Sequence, residues 1–239
     1  MTRIHYCGNP AGGVGKTTLC MAAIAYLQRR EIPCIIFDCD KDKPDIYRAH
    51  KHIGCRRAIL SEAERFENAA NAIFEAAVEE QKPVLVNLAA SSFTAMCSWI
   101  ENADLLLLAA EYRITFTYWF VLDGTPSSTT LLKRVLKQFD GNIEVIALKN
   151  HGKTSDWHLV DEDVELVDLV ARYAVPLVNF PKFHGEAQRQ EILDKRLSLI
   201  KAANHTDFGI IGRQRVKKFL RESGEALDTV DVWGDTADA

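Results

Sequence analysis

The stretch that decides the fold is Asn9–Leu19, NPAGGVGKTTL. A short apolar-leaning run, RIHYC (Arg3–Cys7), leads straight into it. Apolar residues then recur at Leu19, Ala22, Ala23 and Leu27, with basic residues toward Arg30. That is strand, glycine-rich turn and helix in immediate succession, the context in which G-K-T carries meaning. Gly12, Gly13 and Gly15 let the backbone curl so that successive N–H groups, those of Val14 and its neighbours included, point inward at an anion. The first turn of the helix adds its partial positive charge. Lys16 is placed to bridge the β- and γ-phosphates of a nucleotide, Thr17 to offer its hydroxyl to Mg²⁺, and Thr18 to reach the α-phosphate. The loop departs from the usual G-x-x-x-x-G-K-[ST] pattern at its first position, which is Pro10.

Outward from the loop, near-continuous apolar runs recur: PCIIFD (Pro33–Asp38), PVLVNLA (Pro83–Ala89), DLLLLAA, YWFVLDG, IEVIALKN and VPLVNFP. Each reads as a strand covered on both faces. Helical stretches separate them: RAILSEAERFENAANAIFEAAVEEQ, Ser127–Phe139, Asp161–Tyr173 and Gly185–Ala203. Alternation of this kind predicts an α/β fold, a single doubly wound domain with a mostly parallel sheet and helices on both faces. Residues 1–228 form that domain, and the acidic stretch 229–239 reads as a flexible tail. Tyr118, Trp119 and Phe120 are assigned to the core.

Composition narrows the class. The chain has 239 residues, 47% apolar and 26% charged, with net charge −4, so no global field advertises a nucleic-acid binder. Any DNA contact must come from a local patch. Lys41–Arg57 holds six Lys/Arg plus His50 and His52. GRQRVKKFLRES (Gly212–Ser223) is a helix with a basic outer face. The acidic residues beyond it argue against a membrane anchor. No window approaches eighteen apolar residues and no signal peptide precedes the loop, so a cytoplasmic protein is expected. The six cysteines include no C-x-x-C pair, and the seven histidines show no metal spacing.

GGVGKTT resembles the deviant phosphate loop K-G-G-V-G-K-T-[ST] of the ParA/MinD superfamily, the plasmid-partition and division-site ATPases, whose relatives include accessory proteins of conjugal transfer. The resemblance runs through most of the chain as short motifs. It implies a P-loop NTPase fold, ATP and Mg²⁺ as cofactors, and a nucleotide-dependent homodimer. Asp38 and Asp40 of IIFDCD match the family's D-x-D, implying that Asp38 orients attacking water and Asp40 helps hold hydrated Mg²⁺. Asn150, ending VIALKN, matches an asparagine whose amide reads the adenine edge; Pro181 matches a proline flanking the base. Two further positions depart from the pattern. The signature lysine aligns with Ala11, and the third-strand acid with Asn87.

These departures separate binding from turnover. A cation on the transferring phosphoryl group is worth roughly 10³–10⁵ in rate. Without one, hydrolysis is expected to be slow while binding persists. Lys41, Lys43 and Arg48 are the candidate replacements. Three functions stay open. One is a slow or partner-stimulated ATPase, switching a protein partner in plasmid or mobile-element partition, stability or transfer. The second is a nucleotide-responsive interaction protein without hydrolysis. The third is a small-molecule kinase or ligase of dethiobiotin-synthetase type. The superfamily's iron–sulfur branch uses paired cysteines at its dimer interface, and this chain has none after Cys97.

Overall fold

The computed structural model describes residues 1–233. Seven strands form one sheet: β1 (Thr2–Gly8), β2 (Ile35–Asp38), β3 (Arg56–Arg57), β4 (Val84–Asn87), β5 (Ile114–Leu122), β6 (Glu144–Asn150) and β7 (Leu177–Phe180). Their order is β3-β2-β4-β1-β5-β6-β7, and every pairing is parallel. The helices are α1 (Lys16–Arg29), α2 (Asp45–His50), α3 (Asn71–Glu80), α4 (Ser92–Asn102), α5 (Leu105–Glu111), α6 (Pro126–Phe139), α7 (His158–Asp161), α8 (Val164–Arg172), α9 (Glu186–Asp194), α10 (Leu199–Ala202) and α11 (Gly209–Leu227). This is the expected doubly wound α/β architecture.

Two apolar clusters cover the sheet, one per face. Ile4, Tyr6, Val84, Val86, Tyr118 and Phe120 pack toward α3, α4 and α6. Cys7, Ile36, Leu85, Trp119, Val121 and Ile146 pack toward α1 and α11. Strand residues alternate between the two clusters because successive side chains leave opposite faces. Tyr118, Trp119 and Phe120 are fully buried, as expected of core. α1 is buried nearly all round because α11 lies over it; Val216, Phe219 and Leu220 face inward while Arg215, Lys217, Lys218 and Arg221 stay exposed.

Three stretches differ from the sequence reading. DLLLLAA is helix α5, not a strand. It has no β-branched residue, and only Leu105 and Ala109 are buried, one turn apart, while Leu106 and Leu107 face solvent. The long helix expected from Arg57 to Gln81 forms only from Asn71. Its first part is a strand end at Arg57 and a single 3₁₀ turn at Glu64–Phe66, in a highly charged, mostly exposed segment that buries too little to hold a helix. The acidic end is anchored where the description stops. Val230, Val232 and Trp233 are buried, and the Trp233 ring stacks on Trp119 at 4.9 Å and lies 4.3 Å from His5. Residues 234–239 lie outside the described residues.

Crossovers leave β1 in one direction to β2 and continue beyond β4 in the other to β5. The carboxyl end of β1 is therefore the point where the winding reverses, the usual position of a ligand crevice in such sheets. The Gly8–Gly15 loop occupies it.

Candidate functional site

The loop is held by two asparagines. Asn9, at its start, donates from Nδ2 to the Val121 carbonyl at 2.7 Å and accepts the Ala11 N–H at 2.6 Å. This side-chain turn ties the loop's outer lip to β5 and takes up one amide that could otherwise meet an anion. Asn150, at the end of β6, donates to the Val14 carbonyl at 2.7 Å and accepts the Gly152 N–H at 2.9 Å. Sequence reasoning missed Asn9. The signal was present in the Asn-Pro dipeptide, a turn initiator.

Gly15 caps α1 with φ of 114°, a region L side chains rarely adopt, and a Cβ there would lie 2.4 Å from Asn150 Nδ2. Only glycine fits. Gly12 and Gly13 are exposed at the crown, where an added Cβ meets nothing within 4 Å. Val14 is buried beneath them.

Lys16 is 8% exposed and curls back under the loop. Its Nζ donates to the Asn9 carbonyl at 3.0 Å and the Ala11 carbonyl at 2.6 Å. Burial pulls its pKa down to about 8, opposed by the nearby Asp40 carboxylate. The ammonium is thus charged at neutral pH, poorly hydrated, and held only by backbone oxygens. Thr17 and Thr18 follow in the first turn of α1, half-buried.

Asp38 and Asn87 sit side by side on paired strands, on the α1 face of the sheet. Asn87 Nδ2 donates to Asp38 Oδ1 at 2.9 Å, which also accepts the Asp40 N–H at 3.1 Å; Asp38 Oδ2 accepts the Tyr47 N–H at 2.9 Å. Asp38 is fully buried. Desolvation raises its pKa, and those three hydrogen bonds and Arg57 pull it back. Both carboxylate oxygens are therefore engaged in holding the segment after β2. Asp40 is half-buried and accepts the Asp42 and Lys43 N–H groups through one oxygen.

The candidate replacement cations stay within their own loop. Lys41 pairs with Asp42 at 3.5 Å and Arg48 with Asp45 at 3.4 Å; both, like Lys43, are exposed. The cation brought to the D-x-D is instead Arg57, whose Nη2 donates to the Asp40 carbonyl at 3.2 Å. No spacing rule links residues 40 and 57; the edge pairing of β3 with β2 brings them together. His50 adds no charge to the basic stretch at neutral pH, since burial pulls its pKa down to about 4. Pro181 is half-buried just past β7, one strand over from Asn150.

The residues present fit a nucleotide with Mg²⁺. Asn87 Oδ1 is buried and accepts no hydrogen bond from the described residues, so a metal-bound water is a donor it lacks. No three His, Cys, Asp or Glu among the described residues are grouped to hold a metal alone. Mg²⁺ carried by a nucleotide needs only one or two protein oxygens, the phosphates and waters supplying the rest.

Fold and loop together define a MinD-like P-loop architecture. The MinD cell division protein of Aquifex aeolicus superposes with a TM-score of 0.54 at 13% identity, covering 97% of this chain and 98% of that one. The septum site-determining protein MinD of Pyrococcus horikoshii, solved with Mg-ADP, gives 0.52 at 15% identity over 93% and 96%. In sequence, the chain is similar to protein MobD of Acidithiobacillus ferrooxidans, 24% identical over 232 residues that span 95% of this chain and 97% of MobD. No family model matches the chain.

Proposed function

We propose that this chain binds ATP with Mg²⁺ at the Gly12–Thr18 loop and acts as a nucleotide switch in plasmid or mobile-element partition, stability or conjugal transfer. The observation that carries the reading is Lys16: a buried ammonium at the N-terminus of α1, satisfied only by loop carbonyls, at the winding reversal of the sheet. A triphosphate tail is a ligand whose charge suits that position. Thr17 and Asp40 are the oxygens assigned to Mg²⁺ and its waters, and Pro181 the residue flanking the base. The whole-length similarity to MobD supports the mobile-element setting.

ATP brings Mg²⁺, which neutralises phosphate charge; the protein's share is to cradle the tail and respond to it. Asp38 and Asp40 lead into Lys41–Arg57, so a ligand that moves either acid moves that basic segment. This is the surface proposed to meet a protein partner or DNA, and the same switch would gate a homodimer.

A second reading, a switch that binds without appreciable turnover, is favoured by one observation. Asp38 already accepts three hydrogen bonds, from Asn87, Asp40 and Tyr47, so one lone pair, on Oδ2, is left to orient water. Calorimetry with ATP and ADP, with and without Mg²⁺, tests the binding. Micromolar uptake by the wild type, lost in Lys16→Ala, supports it; no uptake at millimolar nucleotide sinks it. Phosphate release measured with DNA and partner present then separates slow turnover from none.

A further inference from the structure

We infer that two surfaces on opposite faces of the sheet, the groove between α4, α5 and α6 and the exposed start of α11, bind one another between copies of this chain in a head-to-tail contact. The contact needs no nucleotide and stands apart from the phosphate loop.

The groove has a volume of about 460 Å³ and is lined by the apolar Ile100, Phe139 and Ile143. Leu106 and Leu107 of α5 also line it and are 40% and 71% exposed. Its charged lining residues are Glu101 and Asp104, both exposed and neither in an ion pair among the described residues. Arg134 lies near Cys97 on the α6 side, so the acidic wall is the one made by α4 and α5. On α11, Ile210 and Ile211 are 78% and 68% exposed. The ion pairs of that helix join Lys218 and Arg221 to Glu222 and Glu225, which leaves Arg213, Arg215 and Lys217 without one among the described residues.

The two patches are complementary in kind. One is an apolar groove beside unpaired acids, the other an exposed apolar pair beside unpaired cations, and opposite potentials steer such surfaces together. Leu105 and Ala109 of α5 pack into the apolar cluster on one face of the sheet, while Val216, Phe219 and Leu220 of α11 pack into the cluster on the other. Groove and helix start therefore cannot meet within one molecule. The occupant assigned to the groove is a second copy, because α11 carries both the apolar pair and the positive charge that the groove suits. Such a contact is heterologous. Each pairing leaves a groove open at one end and a helix start free at the other, so association continues past two copies unless the rotation closes a ring.

Analytical ultracentrifugation of the full chain without nucleotide tests this, and keeps any nucleotide-gated homodimer out of the readout. The wild-type mass should rise with concentration over about 10–200 μM, the range suited to a small interface. A monomer throughout overturns the inference. Association should weaken about tenfold between roughly 50 mM and 500 mM salt, and salt-independent association overturns the charge pairing on which the inference stands. Leu107→Asp in the groove and Ile211→Asp on the helix each set a carboxylate against an apolar partner, so each variant alone should stay monomeric. Both positions are exposed, and thermal unfolding matching the wild type shows that each folds; Leu107→Ser and Ile211→Ser replace any that does not. Mixed in equal amounts, the two variants should form a dimer that grows no further, because each supplies the surface the other has lost. Wild-type association by either variant, or a mixture that stays monomeric while the wild type associates, overturns the head-to-tail contact.

Discussion

Placing an acid at position 87 should destabilise the protein, and the size of the loss should depend on pH. In the wild type, Asn87 Nδ2 lies 2.9 Å from a carboxylate oxygen of the fully buried Asp38. Asn87→Asp replaces that donor with a second carboxylate. Two unit charges at this distance repel by about 6 kcal/mol at an effective dielectric of ~20. The pair does not bear that in full, because it can bind one proton and share it. Holding a proton on a carboxyl whose unfolded pKa is about 3.9 costs about 4 kcal/mol at pH 7 and about 1.5 kcal/mol at pH 5. The smaller of the two costs sets the penalty, so the expected destabilisation is about 4 kcal/mol at neutral pH.

The sign follows from linkage. The folded-state pKa of the new pair stands above the unfolded value. The penalty is absent below about pH 4 and grows as pH rises toward the raised pKa. Urea unfolding of wild type and Asn87→Asp at pH 7 and pH 5 measures it. The difference between the two proteins should shrink by about 2–3 kcal/mol on going to pH 5. A variant penalty equal at both pH values, or under about 1 kcal/mol at pH 7, refutes the claim that Asp38 and residue 87 share one buried charge site. Addition of Mg-ATP should recover part of the loss, since a cation beside paired carboxylates removes the repulsion.

Three further outcomes follow from the same geometry. Gly15→Ala places a side chain at φ of 114° and 2.4 Å from Asn150 Nδ2; thermal or urea unfolding should show a loss of about 3 kcal/mol, and wild-type stability would refute the fit. Lys16 has its pKa pulled down to about 8, and a bound phosphate restores it. Nucleotide binding at pH 9 should therefore take up close to one proton, read by calorimetry in buffers of different ionisation heat, and zero uptake contradicts the assignment. Buried His5, with its pKa pulled down to about 3, stays neutral in the fold while the unfolded chain protonates below about pH 6.5. Stability should fall by up to about 3 kcal/mol between pH 7 and 4.5, and the slope should flatten in His5→Leu; an unchanged slope excludes His5 as its source.

The sheet was legible because each of its strands except the two-residue β3 is a local apolar run, and local patterns survive without knowledge of tertiary contacts. DLLLLAA misled because apolar density alone does not distinguish a strand from a half-buried helix; the absence of β-branched residues was the better guide. The phosphate loop was legible because its chemistry is contiguous from Gly12 to Thr18. What holds the loop was not. Asn9 reaches Val121, Asn150 reaches Val14, and Arg57 reaches Asp40 across separations of 112, 136 and 17 residues, and only the sheet order makes those meetings. Trp233 illustrates the same limit. Within an acidic, small-residue end it reads as unanchored, yet Trp119 and His5 offer the aromatic surface that buries it.

Residues 10, 11 and 87 lie in the hydrogen bonding that surrounds Lys16 and Asp38. Pro10 follows an asparagine whose side chain organises the lip, bonding both Ala11 and Val121. The Ala11 backbone carbonyl accepts from the Lys16 ammonium. Asn87 donates to the buried Asp38 carboxylate, a bond that an ionised acid at that position could not supply. These hydrogen bonds tie the loop's lip to β5, Lys16 to the loop, and Asp38 to β4. A lysine at position 11 would add a second cation to the loop that holds the Lys16 ammonium, and an acid at 87 would set a second carboxylate beside Asp38. On the proposed reading, the hydrogen bonding around Lys16 and Asp38 suits a nucleotide switch better than a fast hydrolase.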